Sequence, residues 1–561
     1  MSRMLWRRLC RVTFLSLTFF GTQEIKAQVY APYNQDYYHL VDRMLIKGDG
    51  GVHSSFRPLD RSDIVALAIK NGKRSGADLF NQKYLLRDNW GYVTDSIQTE
   101  RKQPFLKYFY QQEGAVYSVE EDNFRLQIDP VLHTLIARDS KVEYTPYYNT
   151  RGITLRGELD NKIGFYAYLV DNQMRVPSVI EDRLGQQNAF PGEGFWKKGE
   201  NAEGQYDFFS ARGYITFNLT QSIDVQAGYD RNFIGDGYRS LLLSAHANDY
   251  LFTRINTKVW KLQYTNLFAK LIADNNKVND VYPQKYLALH HLSLNVTKNF
   301  NIGLFESVMH WGDWEIGYLN PMMFYRALEH DLGDGHSVKI GLDAKWNVFN
   351  TLLLYTQLVI DDLKVRDLIQ GTGWFANKQA LQTGLKYIDV LGIDNLDLQA
   401  EYNVVKPYMY SHYLGAEWND QVYPGAYQHY NQHLAHPLGA NFREYIGVLR
   451  YQPSALPRLQ LRVKGIYALQ GKNSNTENWG SDIFLSYSDR VQEYGNYIGQ
   501  GIQSTYKLGE VNVSYQLFHN FFLDLRHIYR SVSTGEEEAS TPMHLSSFGI
   551  RWNASQRMID Y

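Results

Sequence analysis

Leu396-Asp397-Leu398-Gln399-Ala400-Glu401-Tyr402-Asn403-Val404 switches between apolar and polar at every step. A strand sends successive side chains to opposite faces, so this run has one greasy face and one polar face. The same rule recurs along the chain. Ile153, Leu155 and Leu159 alternate with Thr154, Arg156 and Glu158, and Ile163, Phe165, Ala167 and Leu169 continue it. Ile223, Val225, Ala227 and Tyr229 interleave with Asp224, Gln226 and Gly228. Leu459, Leu461 and Val463 interleave with Gln460, Arg462 and Lys464, as do Val511, Val513, Tyr515 and Leu517 with Asn512, Ser514 and Gln516. The last such run, Leu545–Trp552, keeps Phe548, Ile550 and Trp552 on one face.

The connections between runs are of two kinds. Very short turns fall at Asp160-Asn161, Thr220-Gln221, Lys298–Asn301, Phe349-Asn350 and Gly392–Asn395. Between them lie long polar insertions over residues 172–206, 310–336, 362–377, 406–440 and 469–498. Short turns at one end and long loops at the other are the asymmetry of a barrel whose ends face the periplasm and the outside. A sheet satisfies all its backbone groups in lipid only when it is closed. The expected fold is therefore an all-β transmembrane barrel, antiparallel, of about 18 strands. It occupies residues 113–561 and carries long extracellular loops.

Residues 28–112 read differently. Tyr37–Lys47 places Leu40, Val41, Met44 and Leu45 at helical spacing. Asp60 or Ser62 can cap a second helix over Asp63–Lys73, and Ala77–Arg87 makes a third. These predict a small helical segment on the periplasmic side. Ahead of it, Arg3, Arg7, Arg8 and Arg11 precede an apolar run, Val12–Gly21, and a small residue, Ala27. That order predicts a cleaved signal peptide over residues 1–27. The apolar run is shorter than the roughly 20 residues a membrane helix needs.

Composition agrees. The chain is 15% aromatic, with 43 Tyr, 28 Phe and 11 Trp, yet its mean hydropathy is −0.41. Hydrophobicity hidden in alternation, with a surplus of tyrosine, suits a barrel with aromatic girdles. The one cysteine, Cys10, lies in the leader, which leaves no disulfide or thiolate metal site in the mature chain. The leader carries five basic residues and one acid, so its removal moves the net charge from −2 to −6. There is no basic stripe of the kind that binds nucleic acid.

Catalytic signals are sparse. No Gly-x-Ser-x-Gly elbow and no phosphate loop occurs, and no cofactor motif appears. His429, His433 and His436 resemble a metal site at first sight, but Pro424 and Pro437 argue against one helix presenting them together. Asp236, Glu306, Glu329, Asp331 and Glu401 are the candidate carboxylates for a hydrolytic pair. Saccharides are held by aromatic faces with hydrogen-bonding side chains beside them. Two long loops offer that mixture: Trp311 and Trp314 in one, and Tyr408, Tyr410, His412, Trp418, Asp420, Tyr423, Tyr427 and Tyr430 in the other.

Several blocks carry a family resemblance. Asn232–Ser244 (NFIGDGYRSLLLS), Lys285–Val308 and Tyr318–Leu328 (YLNPMMFYRAL) resemble the Wzi-like capsule assembly proteins. With Leu396–His412 and Tyr430–Gly447, they look most like the Bacteroidetes branch, some members of which are labelled gliding-motility protein RemB. The resemblance implies an outer-membrane barrel with leading helices that anchors capsular polysaccharide at the cell surface without catalysis. The expected partners are surface polysaccharide and outer-membrane lipid. Two alternatives stand beside it: an accessory of gliding motility or protein secretion, and a diffusion channel.

Overall fold

Alternation becomes strand wherever the sequence shows it, and the structure, a computed structural model, closes those strands on themselves. It describes residues 28–48, 51–70, 75–93, 114–195, 203–274, 277, 280–311, 315–333, 335–413, 417–418, 421–422, 425–535 and 541–560. The expected signal peptide lies outside the described residues, as does the expected boundary near residue 112.

Eighteen antiparallel strands form the wall. They are β1 (Phe124–Asp139), β2 (Tyr147–Leu159), β3 (Ile163–Arg175), β4 (Gln205–Asn218), β5 (Ile223–Asp230) and β6 (Tyr250–Val259). Next come β7 (Leu262–Ile272), β8 (Gln284–Asn295), β9 (Phe300–His310), β10 (Ser337–Val348), β11 (Leu352–Asp362) and β12 (Lys378–Tyr387). The wall ends with β13 (Leu396–Val405), β14 (Phe442–Tyr451), β15 (Leu459–Lys472), β16 (Ile502–Phe518), β17 (Phe521–Thr534) and β18 (Met543–Trp552). β18 pairs back onto β1 from Leu545↔Asp139 to Trp552↔Leu132, which removes both sheet edges. Tyr117–Glu121 adds a short hairpin strand below that seam.

Every second connection is tight. Asp160 and Asn161, and Phe349 and Asn350, have positive φ at both central positions, the geometry that matches strand twist in two-residue turns. The other connections are long and carry α4 (Ser178–Gln187), α5 (Tyr325–Asp331) and α6 (Val365–Ile369). Among the described residues these follow three N-terminal α-helices, α1 (Gln35–Lys47), α2 (Arg61–Ile69) and α3 (Gly76–Asp88). Asn34, Asp60 and Ser75 cap them, and Ser75 forms a reciprocal capping box with Asp78.

The polar face points inward and is buried. Asp397, Gln399, Glu401 and Asn403 are all buried. The helices do not hang below the barrel; they close its short-turn end, with α1 entering the lumen. Asp36 pairs with Arg462 of β15 at 2.6 Å, Asp42 with Lys386 of β12 at 2.5 Å, and His39 lies 3.0 Å from Asp397. α3 rests on the turns, through Asn81 with Gln452 and Tyr84 with Asn520. From the other end, the loop over residues 231–249 dives into the lumen. Its Phe233-Ile234 pairs with Phe56-Arg57 as a two-stranded ladder. Asp236 takes Lys345 at 3.3 Å. After β18 the chain turns back inside, where Asp560 meets Lys464 at 3.0 Å and Arg239 at 3.3 Å. Three chain segments thus fill the barrel, and the buried charges that join them to the wall meet opposite charges, as burial requires.

Candidate functional site

Loops placed by a rigid wall are where binding groups gather, and four long loops converge over β9–β12. Backbone bonds fix them first. Phe375 N–H donates to Glu493 O at 2.9 Å, and Asn496 N–H donates to Gly373 O at 2.9 Å. Gly373 has φ +65°, and a Cβ there would sit 2.7 Å from Asn496 N, so the position needs glycine. Tyr408 N–H donates to Gly480 O at 2.9 Å, and its hydroxyl donates to Asn478 O at 2.8 Å. The loops over 363–377, 406–441 and 473–501 are thereby one unit.

The aromatic side chains of that unit form a continuous row. Trp311 lies 5.3 Å from His336 and 5.8 Å from His412, centroid to centroid. His412 is 4.5 Å from Tyr413 and 5.9 Å from Tyr487, and Tyr487 is 5.7 Å from Phe375. Trp374 ends the row, 5.6 Å from Phe375. Cations edge it: Lys378 Nζ sits 4.7 Å over Tyr487, Lys364 Nζ 4.9 Å over Trp374, and Arg490 3.9 Å over Phe375. All seven rings are half-buried, fixed yet reachable. Gly425 makes room, since a Cβ there would come within 2.9 Å of Trp311.

Burial sets the charge state. It holds His412 down at about 3, helped by Lys378, and it also lowers His336. The same desolvation pushes Tyr487 up to about 12, with Asp361 adding to the rise. The row is therefore neutral across ordinary pH, and the flanking lysines and arginine supply its charge. A linkage prediction follows. A histidine whose folded pKa is depressed binds fewer protons folded than unfolded between about 3 and 6.5, so its contribution falls as pH drops through that window. Loop order should weaken by about 2 kcal/mol at about pH 5. Hydrogen exchange of amides 406–413 measures it; protection that does not change between neutral and acid pH would refute the burial of His412.

Of the residues expected from sequence, Trp311 and His412 meet in this row. Tyr408, Tyr410 and Tyr427 do not present ring faces to solvent. They are buried, and Tyr410 and Tyr427 stack at 5.9 Å with their hydroxyls on the carbonyls of Leu241 and Leu242. Tyr410 and Tyr427 hold the lumenal loop in place and Tyr408 holds the 473–501 loop, a correction to their expected ligand-facing role. Tyr430 packs elsewhere, 4.9 Å from Phe195. Trp314, Asp420 and Tyr423 lie outside the described residues; Trp418 is described only as backbone, in a ladder with Gln421. The sequence reading missed Tyr413, Trp374, Phe375, Tyr487 and His336. Each stands in or beside an expected long loop, but nothing local signals that those loops touch.

The other candidates have structural uses. His429 accepts from Ile272 N–H at 2.9 Å, His436 lies 2.6 Å from Glu444, and His433 packs on Phe484 at 5.3 Å, so the three histidines serve separate partners. Glu401 accepts from the Tyr238 and Arg239 amides. Within the lumen, chambers of about 200 and 160 Å³ remain beside α1, both lined by Tyr33, Asp36 and Arg212.

No protein-family model and no curated protein sequence matches the chain. Solved structures do. The chain has the fold of Wzi. That structure is described as an outer-membrane protein involved in group 1 capsule assembly in Escherichia coli and a carbohydrate-binding β-barrel. The match has a TM-score of 0.58 at 12% identity over 94% of this chain and 100% of that one. OprD and OccK8 (OprE) of Pseudomonas aeruginosa match more loosely. Their TM-scores are 0.42 and 0.41, with identities of 8% and 9%, each over 76% of this chain and 94% and 97% of theirs.

Proposed function

We propose that this protein is a non-enzymatic outer-membrane barrel that binds surface polysaccharide and anchors it at the cell surface. The observation that carries the reading is the fixed row from Trp311 to Trp374, at the long-loop end of a barrel whose lumen is filled. A pyranose has a face of polarised C–H bonds that suits an aromatic face. The cations at the edge, Lys364, Lys378 and Arg490, add donors for hydroxyl or carboxylate groups. A chain of rings rather than one pocket suits a repeating polymer. The capsule-assembly role named for Wzi fits the same use. The filled lumen weighs against a diffusion channel.

The test compares cell-attached with released polysaccharide in a deletion strain carrying wild-type or Trp374→Ala/Tyr487→Ala protein. Each ring removed should weaken glycan binding by roughly tenfold. Polysaccharide should still be made but shed into the medium. Unchanged retention by a correctly assembled variant sinks the proposal. A stable protein complex without glycan on pull-down would move the reading to a motility or secretion accessory.

A further inference from the structure

The outer wall of β7–β9 is covered where a membrane barrel should be bare. Leu267, Ala269, Leu287, Leu289 and Phe305 face the lumenal core. Their neighbours Phe268, Ala288, His290, Glu306 and Val308 therefore face outward. An ordinary outward residue such as Leu304 is 53% exposed. Ala288 and Val308 are instead buried, and Glu306 is only 3% exposed.

The cover is the loop that follows β9. It leaves the long-loop end, turns down the outside of the barrel and packs Tyr318, Met323, Tyr325 and Leu328 on Phe268, Ala288 and Val308. Tyr325 stacks on His290 at 4.5 Å. The Tyr264 hydroxyl donates to Pro321 O. Glu306, an acid on the membrane side of the wall, accepts from the Tyr325 amide at 3.0 Å and the Arg326 amide at 2.9 Å, and meets His290 at 2.9 Å. A charged group facing lipid is unfavourable unless it is paired. Here the descending loop supplies the partners.

The outer side of the same loop is greasy. Ile316 is 77% exposed, Met322 83% and Phe324 54%. They extend the apolar band that Leu304, Ile340 and Leu342 form on the wall. As far as Phe324 the exposed side chains are apolar apart from Asn320, the reverse of a loop standing in water, whereas Arg326, His330 and Asp331 are exposed further on, where the chain returns to β10.

We propose that residues 315–325 form a clip seated in the outer leaflet, with Ile316, Met322 and Phe324 against lipid acyl chains and Glu306 fastening the clip to the wall. This rests on the barrel spanning a membrane and not on glycan binding. Its consequence is positional. The clip begins just beyond Trp311, so it holds that end of the aromatic row close to the membrane surface.

Residues 28–561 contain no cysteine, so single cysteines introduced there report cleanly. Met322→Cys and Phe324→Cys, with Leu304→Cys on the wall and Ser488→Cys in a long loop, are labelled with an environment-sensitive fluorophore. The protein is reconstituted in vesicles containing brominated phosphatidylcholine. Quenching at 322 and 324 should match that at 304, with none at 488. Quenching at 304 but not at 322 and 324 overturns the clip, whether water or another protein covers it. Absence of quenching at 304 overturns the membrane-spanning reading itself, and the clip with it. In the Met322→Cys background, Glu306→Ala should raise the rate at which a water-soluble maleimide attacks the introduced thiol by about tenfold or more. An unchanged rate overturns the fastening role.

Discussion

Arg43→Met should open the short-turn end of the barrel while leaving the wall intact. Arg43 is fully buried in α1. Its Nε donates to Asp78 of α3 at 2.8 Å, one terminal nitrogen to Asp389 in the β12–β13 turn at 2.5 Å, and the other to Asp397 of β13. One planar guanidinium thus ties two helices, a turn and the wall, a fork that only arginine provides. Methionine nearly preserves the volume, but leaves the three carboxylates with Lys47 and His39, beside neutral donors from Ser75, Asp389 and Asn395. Removing one side of a buried ion cluster costs about 3–5 kcal/mol, which is a large share of what holds the helices in place. Wild-type protein in a planar bilayer should pass little current, because α1, the 231–249 loop and the C-terminal tail fill the lumen. The variant should show conductance steps and faster tryptic cleavage within residues 28–92, while its SDS-resistant band persists. Arg43→Lys should lie between, since an ammonium cannot serve all three acids. If Arg43→Met conducts and digests like wild type, the cluster does not hold the plug.

The contrast between wall and plug shows what the sequence can reveal. Alternation in Leu396–Val404 reports the two faces of β13 because the signal is local: each side chain's environment follows from its parity. Turn chemistry at Asp160-Asn161 and Phe349-Asn350 is local in the same way. What occupies the polar face is not local. Asp36 meets Arg462 across more than four hundred positions, and no pattern near either residue announces the other. Asp397, Gln399 and Glu401 would read identically in a water-filled pore. The aromatic loops pose the same difficulty. Tyr410 and Tyr427 have the composition of a glycan contact, yet they bond to the Leu241 and Leu242 carbonyls. The apolar Leu241-Leu242-Leu243 run looks like neither strand nor loop because it is a core segment carried into the lumen by a connection. Loop 311–336 resists reading for a further reason: its exposed apolar residues make sense only once the solvent on that side is lipid.

Glu510→Gln should be at least as damaging as the loss of Arg43, and by a different route. Glu510 is a buried carboxylate on β16 that accepts from Arg462 at 2.9 Å, Lys464 at 3.0 Å and Arg526 at 2.7 Å. These cations lie on the flanking strands β15 and β17. They also reach inward: Arg462 to Asp36 of α1 and Gln556 of the tail, and Lys464 to Asp560 and Tyr238. The carboxylate is therefore the centre of a hub where wall, helix, tail and lumenal loop meet. Glutamine keeps the shape but removes the charge and turns one accepting oxygen into an NH2 donor, leaving three mutually repelling cations in a site of low dielectric. A loss of about 3–5 kcal/mol is expected. It should appear as a lower temperature for loss of the heat-modifiable folded band, with hydrogen exchange rising together in residues 35–47 and 554–560. Lys464→Met added to Glu510→Gln removes one of the three cations. If repulsion is the cause, the double variant recovers part of the loss, and the coupling measures it. A double variant that is only the sum of its two defects would mean that Glu510 acts through a hydrogen bond to one neighbour, and that helix, tail and loop are held independently of one another.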